Sequence, residues 1–431
     1  MMRGSRQVGT AAQPELLARE VRMAAEHPYP RLRAIEVHPA EHAGRPILVV
    51  QDPCGLAVGP IAVSGPALFI FSLLDGEHSP QQIRDLFEAQ FKARLPAEQL
   101  DRLLDQLDVA LYLENDRFAA HVAAQRETYR TAPARVSDHE QAFGAGDDGL
   151  AATLDRLLEE NERVKPQRAT GRLAGLIAPH LDFARGQNCY ADVYGLLGEL
   201  PPAQRFVILG TNHRGLGPSV VATDKDFQTP LGTTRTDRAF LAALADRCGA
   251  DLCEYELDHL HEHSVELQVL MLQHVLGADA FEIVPLLCPD PCAPCGTAPP
   301  DGRGVDLRVL ARVLRDLLTD DPVPTVIIAA ADLSHVGRPF GDDRDLNEAW
   351  LDEVAHSDQA ALQAILDGNH DEFVRLLATD QNSTHICSAG SIFTLAAALP
   401  DTRRELLRYH QAVNWEHGLC VSCCSALFWE P

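Results

Sequence analysis

The sequence lacks long hydrophobic runs. Its most apolar stretches, such as residues 206–209 and 326–331, have the length of a β-strand. A transmembrane helix needs about 18 or more consecutive apolar residues. The N-terminal stretch MMRGSRQVGTAAQPE likewise lacks the apolar segment of a signal peptide. These absences argue against membrane insertion and predict a cytoplasmic protein.

Positive charge is also scarce. The chain contains 37 lysines and arginines against 62 aspartates and glutamates, which gives a net charge of −25 at pH 7. Because an acidic chain repels the phosphate backbone, this balance argues against general nucleic-acid binding. The simplest interpretation of the charge is a well-solvated surface. Eleven cysteines are present, and in a cytoplasmic protein these are more often reduced thiols or metal ligands than disulfide partners.

The length of 431 residues indicates two domains, or one large domain with an appendage. Residues 1–30 are polar and predict a weakly ordered lead-in. Residues 31–120 have the composition of a small compact domain, and the charged segment 121–165 predicts a helical linker with a flexible break. In residues 166–431, short apolar strands alternate with helical stretches, which predicts an α/β domain with a largely parallel sheet flanked by helices.

The small domain follows the order of a winged helix. A strand at 46–52 precedes three helices, and a hairpin at 110–118 with a turn at Asn115-Asp116 closes the domain. The helix ending in LLDGEHSPQQI and the leucine-rich helix after it resemble the PqqD-like family of peptide-recognition domains. An unrelated winged helix is the alternative. DNA binding is not favoured, because the segment has no basic helix.

Three predicted strands each end at a histidine. His180 follows LAGLIA, His213 follows RFVILG, and His335 follows TVIIAAA. Ligands bind at the carboxyl ends of parallel strands. A lone histidine there is usually structural, but three at one edge, with Asn212 and Asp332 beside two of them, indicate a functional site. Neutral imidazole is the commonest metal ligand and a general base near pH 7.

Two further segments extend this pattern. His263 and Glu266 open a helix three residues apart and therefore share one of its faces. His259 and His261 are alternative metal ligands, although an entering loop is the simpler assignment for them. Cys387 opens another helix, where the helix dipole favours the thiolate form that binds metals. A buried, inert cysteine is the alternative for Cys387.

The motifs IAPH, LGTNHRG, TPLG, EHSVELQ, EIVPLL, AADLSHVG and STHICSAG resemble, in order and spacing, those of the Memo family across residues 172–428. The resemblance implies a fold similar to that of class III extradiol dioxygenases. It also implies a metal site of two histidines and one cysteine, which here are His180, His213 and Cys387.

The same resemblance assigns the rest of the pocket. Asp332 and His335 line it, with His335 in the position of the dioxygenase acid/base histidine, and His263 and Glu266 lie at its rim or behind the ligands. The sequence departs from the family where HLDF replaces HAGY, so Asp182 adds a carboxylate near the metal. Two imidazoles and one anion suit Fe(II), while the soft thiolate also admits copper or zinc.

These assignments predict a metal-dependent, dioxygenase-like oxidoreductase in which His335, oriented by Asp332, moves a proton. Memo proteins are component B of systems with AMMECR-type and radical-SAM proteins, so these are the expected partners. The PqqD-like domain would present a peptide for modification, and the substrate is therefore a small molecule or a peptide. The alternative is a non-catalytic module that holds a metal or a peptide.

One cysteine cluster lies outside the Memo pattern. Cys288, Cys292 and Cys295 have the C-x-x-x-C-x-x-C spacing of radical-SAM iron–sulfur clusters. No barrel of alternating strands and helices follows them, so a Pro-rich surface loop is the simpler interpretation. A small accessory metal site remains the alternative.

Overall fold

The computed structural model describes residues 28–42, 45–137, 149–167, 171–213, 215–292, 295–300 and 302–431. The chain divides into two compact units, Met1–Gln125 and Arg126–Pro431. Most of the lead-in expected at residues 1–30 lies outside the described residues. Within the described ranges, no helix is both long enough and apolar enough to cross a membrane.

The first unit combines a small antiparallel sheet with helices. Its three strands pair in the order β1 (Glu36–His42), β2 (Arg45–Gln51) and β3 (Ile61–Val63). The helices are α1 (Gly65–Ser72), α2 (Pro80–Phe91), α3 (Ala97–Val109) and α4 (Asp116–Thr131), the last of which crosses the boundary between the units. Ser79 and Gln82 form a reciprocal capping box at the start of α2, where Ser-Pro predicts a helix start.

The hairpin expected at residues 110–118 is not formed. The side-chain oxygen of Asn115 accepts a hydrogen bond from the backbone N–H of Phe118 at 3.0 Å, so Asn115 caps α4 instead of forming a turn. Leu113 makes only an isolated bridge with Leu32. The prediction of a closing hairpin is therefore wrong, and the winged-helix outline lacks its expected wing. The PqqD-like resemblance stays a prediction.

A large mixed sheet forms the centre of the second unit. Its strands are β4 (Ala134–Val136), β5 (Leu173–Ala178), β6 (Arg205–Thr211), β7 (Val221–Ala222), β8 (Asp226–Thr229), β9 (Gly232–Thr236), β10 (Glu282–Cys288), β11 (Thr325–Ala330), β12 (Asp332–Gly337), β13 (Arg403–Asn414) and β14 (Leu419–Trp429). The order is β12-β14-β5-β11-β6-β10-β9-β8-β4, with β13 beside β14 and β7 beside β10. The central strands β5, β11, β6 and β10 are parallel, as predicted. Strands β12, β13 and β14 are antiparallel to their neighbours, so the sheet is mixed.

Helices pack around this sheet in two hydrophobic cores. They are α5 (Leu150–Glu160), α6 (Phe183–Leu197), α7 (Arg238–Cys248), α8 (His263–Leu276), α9 (Leu307–Asp320), α10 (Glu348–Leu366), α11 (His370–Thr379) and α12 (Ala389–Ala398). Strand β4, which no sequence pattern predicts, lies within the expected linker and pairs with β8. The second unit is thus a mixed α/β fold with a large central sheet.

The register of the central strands positions the site. Ala330 pairs with Ala178, and Ala329 pairs with Leu209, so β5, β6 and β11 end at the same edge of the sheet. These strands are buried on both faces. They therefore appear in the sequence as continuous apolar runs, and the residues that follow them emerge together at one edge.

Candidate metal centre

His180 is buried directly after β5. Its backbone N–H donates to Asp332 Oδ1 at 3.0 Å, and its Nδ1 lies 3.0 Å from the carbonyl oxygen of Ala330. Because that carbonyl can only accept, Nδ1 carries a proton and Nε2 is the ring nitrogen that faces the cluster. Nε2 lies 3.5 Å from Cys387 Sγ. Burial lowers the pKa of His180, but the Asp332 and Cys387 anions outweigh it and raise the pKa to about 9.

His213 follows β6, and its side chain is 25% exposed. Its Nδ1 lies 3.1 Å from both carboxylate oxygens of Glu262, so its Nε2 lies on the opposite side of the ring. Partial burial lowers the pKa of His213, but the Glu262 carboxylate raises it well above the usual value. Glu262 is itself buried, yet His213, His263 and the backbone N–H of Ser264 hold its pKa well below the usual range. Glu262 is thus an anion that orients His213.

His263 is the first residue of α8 and joins the other two imidazoles. One ring nitrogen of each of His180, His213 and His263 lies within 4.8 Å of the others. The rings of His213 and His263 are nearly parallel, with 21° between their planes and 5.0 Å between their centroids. The ring of His180 is close to perpendicular to both. The sequence placed His263 at the pocket rim or behind the ligands, and the structure brings its ring to 5.4 Å from that of His180, centroid to centroid.

Cys387 lies two residues before α12 and is partly exposed. Burial alone would raise the pKa of its thiol, but His180 and His213 hydrogen-bond to it, and with the charge of His335 they hold the pKa well below the usual value. The thiolate expected from the sequence therefore has imidazoles as its main stabilising partners. Its Sγ also contacts Ser388 Oγ at 3.3 Å.

Asp332 and His335 lie on β12, beside the histidine cluster. Asp332 is buried, and its Oδ1 accepts the backbone N–H groups of His180 and Leu181. His335 Nδ1 instead lies 3.0 Å from the carbonyl oxygen of Leu333. The expectation that Asp332 orients His335 is therefore corrected: Asp332 fixes the segment that carries His180. The reason is that the carbonyl oxygen of Leu333, two residues earlier on the same strand, already occupies Nδ1 of His335.

Sequence comparison places the chain among known proteins. The family model described as Memo-like protein matches residues 141–426, which is more than half of the chain. The chain belongs to the Memo family. A MEMO1 family protein from Aquifex aeolicus is 25% identical over 339 residues, which cover 78% of this chain and 83% of the relative. A MEMO1 family protein from Methanopyrus kandleri is 30% identical over 196 residues, which cover 45% of this chain and 64% of the relative.

The family resemblance inferred from the sequence motifs is thus confirmed. A further MEMO1 family protein, from Thermus thermophilus, is 28% identical over 234 residues, which cover 54% of this chain and 65% of the relative. The names of these relatives state no activity. The comparisons thus establish the family, and the chemistry of the site has to be inferred from its geometry.

The other expected pocket residues of the Memo unit have structural partners. Asp182 caps α6 by accepting the backbone N–H of Arg185 at 2.9 Å, and it also pairs with the Arg185 guanidinium. Asp182 thus serves its own helix rather than the ligand cluster. Asn212 donates to Asp258 at 3.0 Å and so braces the loop that carries His213.

Glu266 lies behind the pocket in the Memo unit, fully buried and ion-paired with Arg135 of β4. The Arg135 guanidinium also donates to the carbonyl oxygens of His259 and Glu262, at 2.9 and 3.1 Å. Glu266 and Arg135 therefore hold the loop that delivers Glu262 and His263. Glu266 acts on the site through this loop.

The cysteine loop does not assemble as a cluster site in the described residues. Cys288 is buried at the end of β10, where burial raises the pKa of its thiol to about 12. Cys292 is partly buried and Cys295 is exposed. Among the residues that the structure describes, the donor atoms that all lie within 4.8 Å of one another come from the three histidines and include none of these cysteines. Cys387 also lies outside that group, but its Sγ is 3.5 Å from His180 Nε2.

Glu262 is the main residue of the histidine cluster that the sequence did not reveal. It stands one position before His263, inside a segment already rich in charged and imidazole groups. Its role depends on a contact with His213, which lies 49 positions earlier in the chain. The only sequence signal was an acidic residue beside a helix start, and such residues usually cap the helix, as Glu262 also does through Ser264.

Proposed function

We propose that this Memo protein is a metal-dependent oxidoreductase whose ion is held by His180, His213 and Cys387. The observation that carries the proposal is the 3.5 Å distance between His180 Nε2 and Cys387 Sγ. Nitrogen and sulfur ligands of one tetrahedral ion, bound at about 2.05 and 2.3 Å, are separated by about 3.5 Å. Two atoms that both belong to metal-ligating groups are therefore already at ligand spacing.

The surroundings of the donors also fit a metal. Each histidine has its outer nitrogen engaged, by the Ala330 carbonyl for His180 and by the Glu262 carboxylate for His213. Outer contacts of this kind are characteristic of metal-ligating histidines, because they select the tautomer and fix the ring. We propose Fe(II) as the ion, with copper or zinc as alternatives, since imidazole and thiolate admit all three. When bound, Fe(II) supplies redox and Lewis-acid chemistry.

Within this proposal, His335 and Asp332 have different roles. His335 is the acid/base group, since its Nδ1 is held by the Leu333 carbonyl and its other ring nitrogen can exchange a proton with substrate. Asp332 keeps the His180 backbone in place through two backbone N–H groups. His335 is also close enough to Cys387 for its charge to favour the thiolate. The proposed acid/base group therefore lies near the proposed sulfur ligand.

The test is anaerobic purification followed by elemental analysis of the wild type and of His180→Ala, His213→Ala and Cys387→Ser. We expect about one iron per chain in the wild type, in line with a single three-ligand site, and loss of that iron in all three variants. Metal retained in all three variants would contradict the assigned ligands. An oxygen-consumption screen with the iron-loaded wild type then tests the oxidoreductase assignment.

A non-catalytic metal-binding or peptide-binding module is the second candidate. The observation that favours it is that the contact between His180 and Cys387 does not involve His335. The two candidates differ in what His335→Ala removes. If the variant keeps its metal and loses a measured turnover, the enzyme is supported. If the variant keeps both its metal and every measured property, the module is supported.

The partners follow from the same proposal. We propose that the protein works beside AMMECR-type and radical-SAM proteins in the cytoplasm, and that its first unit recruits a peptide as a PqqD-like domain does. The first unit offers two sheet edges, β1 and β3, to which an extended peptide could add as a strand. Co-purification of differently tagged partners from one cell extract tests this assembly, and the absence of both partners would contradict it.

A further inference from the structure

Glu262 orients two histidines, not one. Its Oε1 lies 3.1 Å from Nδ1 of His213 and 3.4 Å from Nδ1 of His263. The two nitrogens of an imidazole ring point in different directions. A carboxylate that contacts Nδ1 therefore leaves Nε2 available to another partner. The two rings are nearly parallel. The Glu262 carboxylate therefore lies beside Nδ1 of both rings.

The donor atoms of this cluster meet at His180. Its Nε2 lies 3.5 Å from Cys387 Sγ, and one of its ring nitrogens lies within 4.8 Å of a ring nitrogen from each of His213 and His263. An ion bound beside His180 can therefore take a sulfur donor and two further imidazoles.

We infer that His263 is a fourth protein ligand, which makes the site a three-histidine, one-cysteine centre. This inference rests on the proposed metal site and adds a donor to it. Three nitrogens and one thiolate complete the sphere of a tetrahedral ion such as Zn²⁺. A six-coordinate Fe(II) ion would keep two positions for substrate. The metal that occupies the site therefore decides whether the pocket is closed or open to substrate.

The position of His263 suits this role. It is the first residue of α8, directly after Glu262, which caps the helix through the backbone N–H of Ser264 at 2.9 Å. The buried pair of Arg135 and Glu266 holds the same loop from behind. A ligand fixed at a helix start and braced by a buried ion pair has its geometry set before metal binds, which lowers the entropic cost of coordination.

The test is Zn²⁺ affinity, measured by competition with a chromophoric chelator under reducing, anaerobic conditions on the full chain. The variants are His263→Gly and, as a control on the same helix, His274→Gly, whose ring pairs with Asp155 at 3.1 Å. We expect His263→Gly to weaken binding more than about 100-fold, beyond the 10–100-fold typical of residues that only support a ligand. Free imidazole should restore much of the loss in His263→Gly and have no effect on His274→Gly.

The Co²⁺ spectrum of His263→Gly distinguishes the loss of a ligand from misfolding. A retained thiolate-to-cobalt charge-transfer band shows that Cys387 still binds in a folded pocket. If that band is retained and Zn²⁺ affinity is unchanged, or is reduced without any restoration by imidazole, His263 is not a ligand. If Cys387→Ser loses Zn²⁺ while His263→Gly does not, the proposed site stands and the fourth ligand is rejected. Zn²⁺ retained by both variants would reject the proposed site itself.

Discussion

The ligand candidates His180 and His213 are each held by a specific outer partner. A backbone carbonyl holds Nδ1 of His180, and the Glu262 carboxylate holds Nδ1 of His213. These two partners differ in charge, so they differ in effect. The neutral Ala330 carbonyl fixes the tautomer of His180, whereas the anionic Glu262 also makes His213 a more basic ligand.

The charge of Glu262 can be tested by Glu262→Gln, which keeps the size of the side chain and one acceptor oxygen. We expect metal affinity to fall by about 10–100-fold, because the ring of His213 loses its anionic partner. The measurement is a chelator competition titration. Glu254→Gln, at an exposed position of the same unit, is the matched control and should not change affinity. Equal affinities for Glu262→Gln and the wild type would refute the role of Glu262.

The Cys387 thiol should react as a thiolate at neutral pH in chelator-treated protein. An unperturbed thiol has a pKa of about 8.5 and is mostly protonated at pH 7. The imidazoles beside Cys387 outweigh its burial and lower that pKa, so its thiolate is kept as pH falls through the usual range and is lost only below the lowered pKa. We expect its alkylation rate, followed by peptide mass analysis, to stay nearly constant from pH 9 to 7 (about the interval that spans the usual pKa).

His180→Ala provides the check on this cause. Removing the imidazole 3.5 Å from the sulfur should raise the pKa of Cys387 and slow its alkylation at pH 7. His274→Ala, on the far end of α8, should leave the rate unchanged. A wild-type rate that already falls between pH 9 and 8 would contradict the lowered pKa (the fall expected of a thiol with pKa near 8.5).

At the scale of elements, several helix starts explain residues that the sequence assigned elsewhere. Asn115 was expected in a hairpin turn but caps α4, and Asp182 was expected near the metal but caps α6. Asn and Asp favour turns, caps and ligand sites alike, because a short polar side chain reaches nearby backbone N–H groups. Sequence pattern alone does not separate these uses.

The capping role of Asp182 predicts that its loss lowers stability but leaves metal content unchanged. Asp182→Ala should lower the free energy of unfolding by about 1 kcal/mol, the usual cost of losing an N-cap. Metal content should be unchanged, since the carboxylate is engaged with Arg185. Asp182→Ser, which also caps helices, should restore most of the stability. Urea unfolding and elemental analysis measure both effects, and loss of metal in Asp182→Ala would place this carboxylate in the site.

At the scale of the whole molecule, all candidate ligands belong to the second unit. They come from β5, β6, α8 and the segment before α12, which are far apart in the chain but meet at one edge of the sheet. A metal bound there joins elements whose loops would otherwise open independently. Binding should therefore stabilise the second unit as a whole.

Hydrogen exchange measured with and without metal tests this coupling. At a free metal concentration 100 times Kd, we expect about 2.7 kcal/mol of stabilisation. Slower exchange should appear in the ends of β5 and β6 and the start of α12, and to a smaller degree in the rest of the central sheet. The matched control is Cys387→Ser at the same metal concentration. If metal slowed hydrogen exchange in that variant as much as in the wild type, the metal would be binding at another site.

The sequence by itself determined the central strands and the family. Strands buried on both faces are continuous apolar runs, so β5, β6 and β11 were found where the runs LAGLIA, RFVILG and TVIIAAA stand, and each is followed by a histidine. Apolar runs indicate burial, and motifs indicate family membership. Both can be recognised within a short stretch of sequence, without knowing which stretches contact each other in the fold.

Only the tertiary structure decided the partners of each side chain. Asp332 contacts His180 across 152 positions, and Glu262 contacts His213 across 49. Both contacts depend on strand register and loop path. The fold brings distant segments together at the edge of the sheet. This arrangement decides which imidazoles contact the Glu262 carboxylate, and it places His263 beside His180. A periodicity of two or 3.6 residues carries no information about that, because it describes one element at a time.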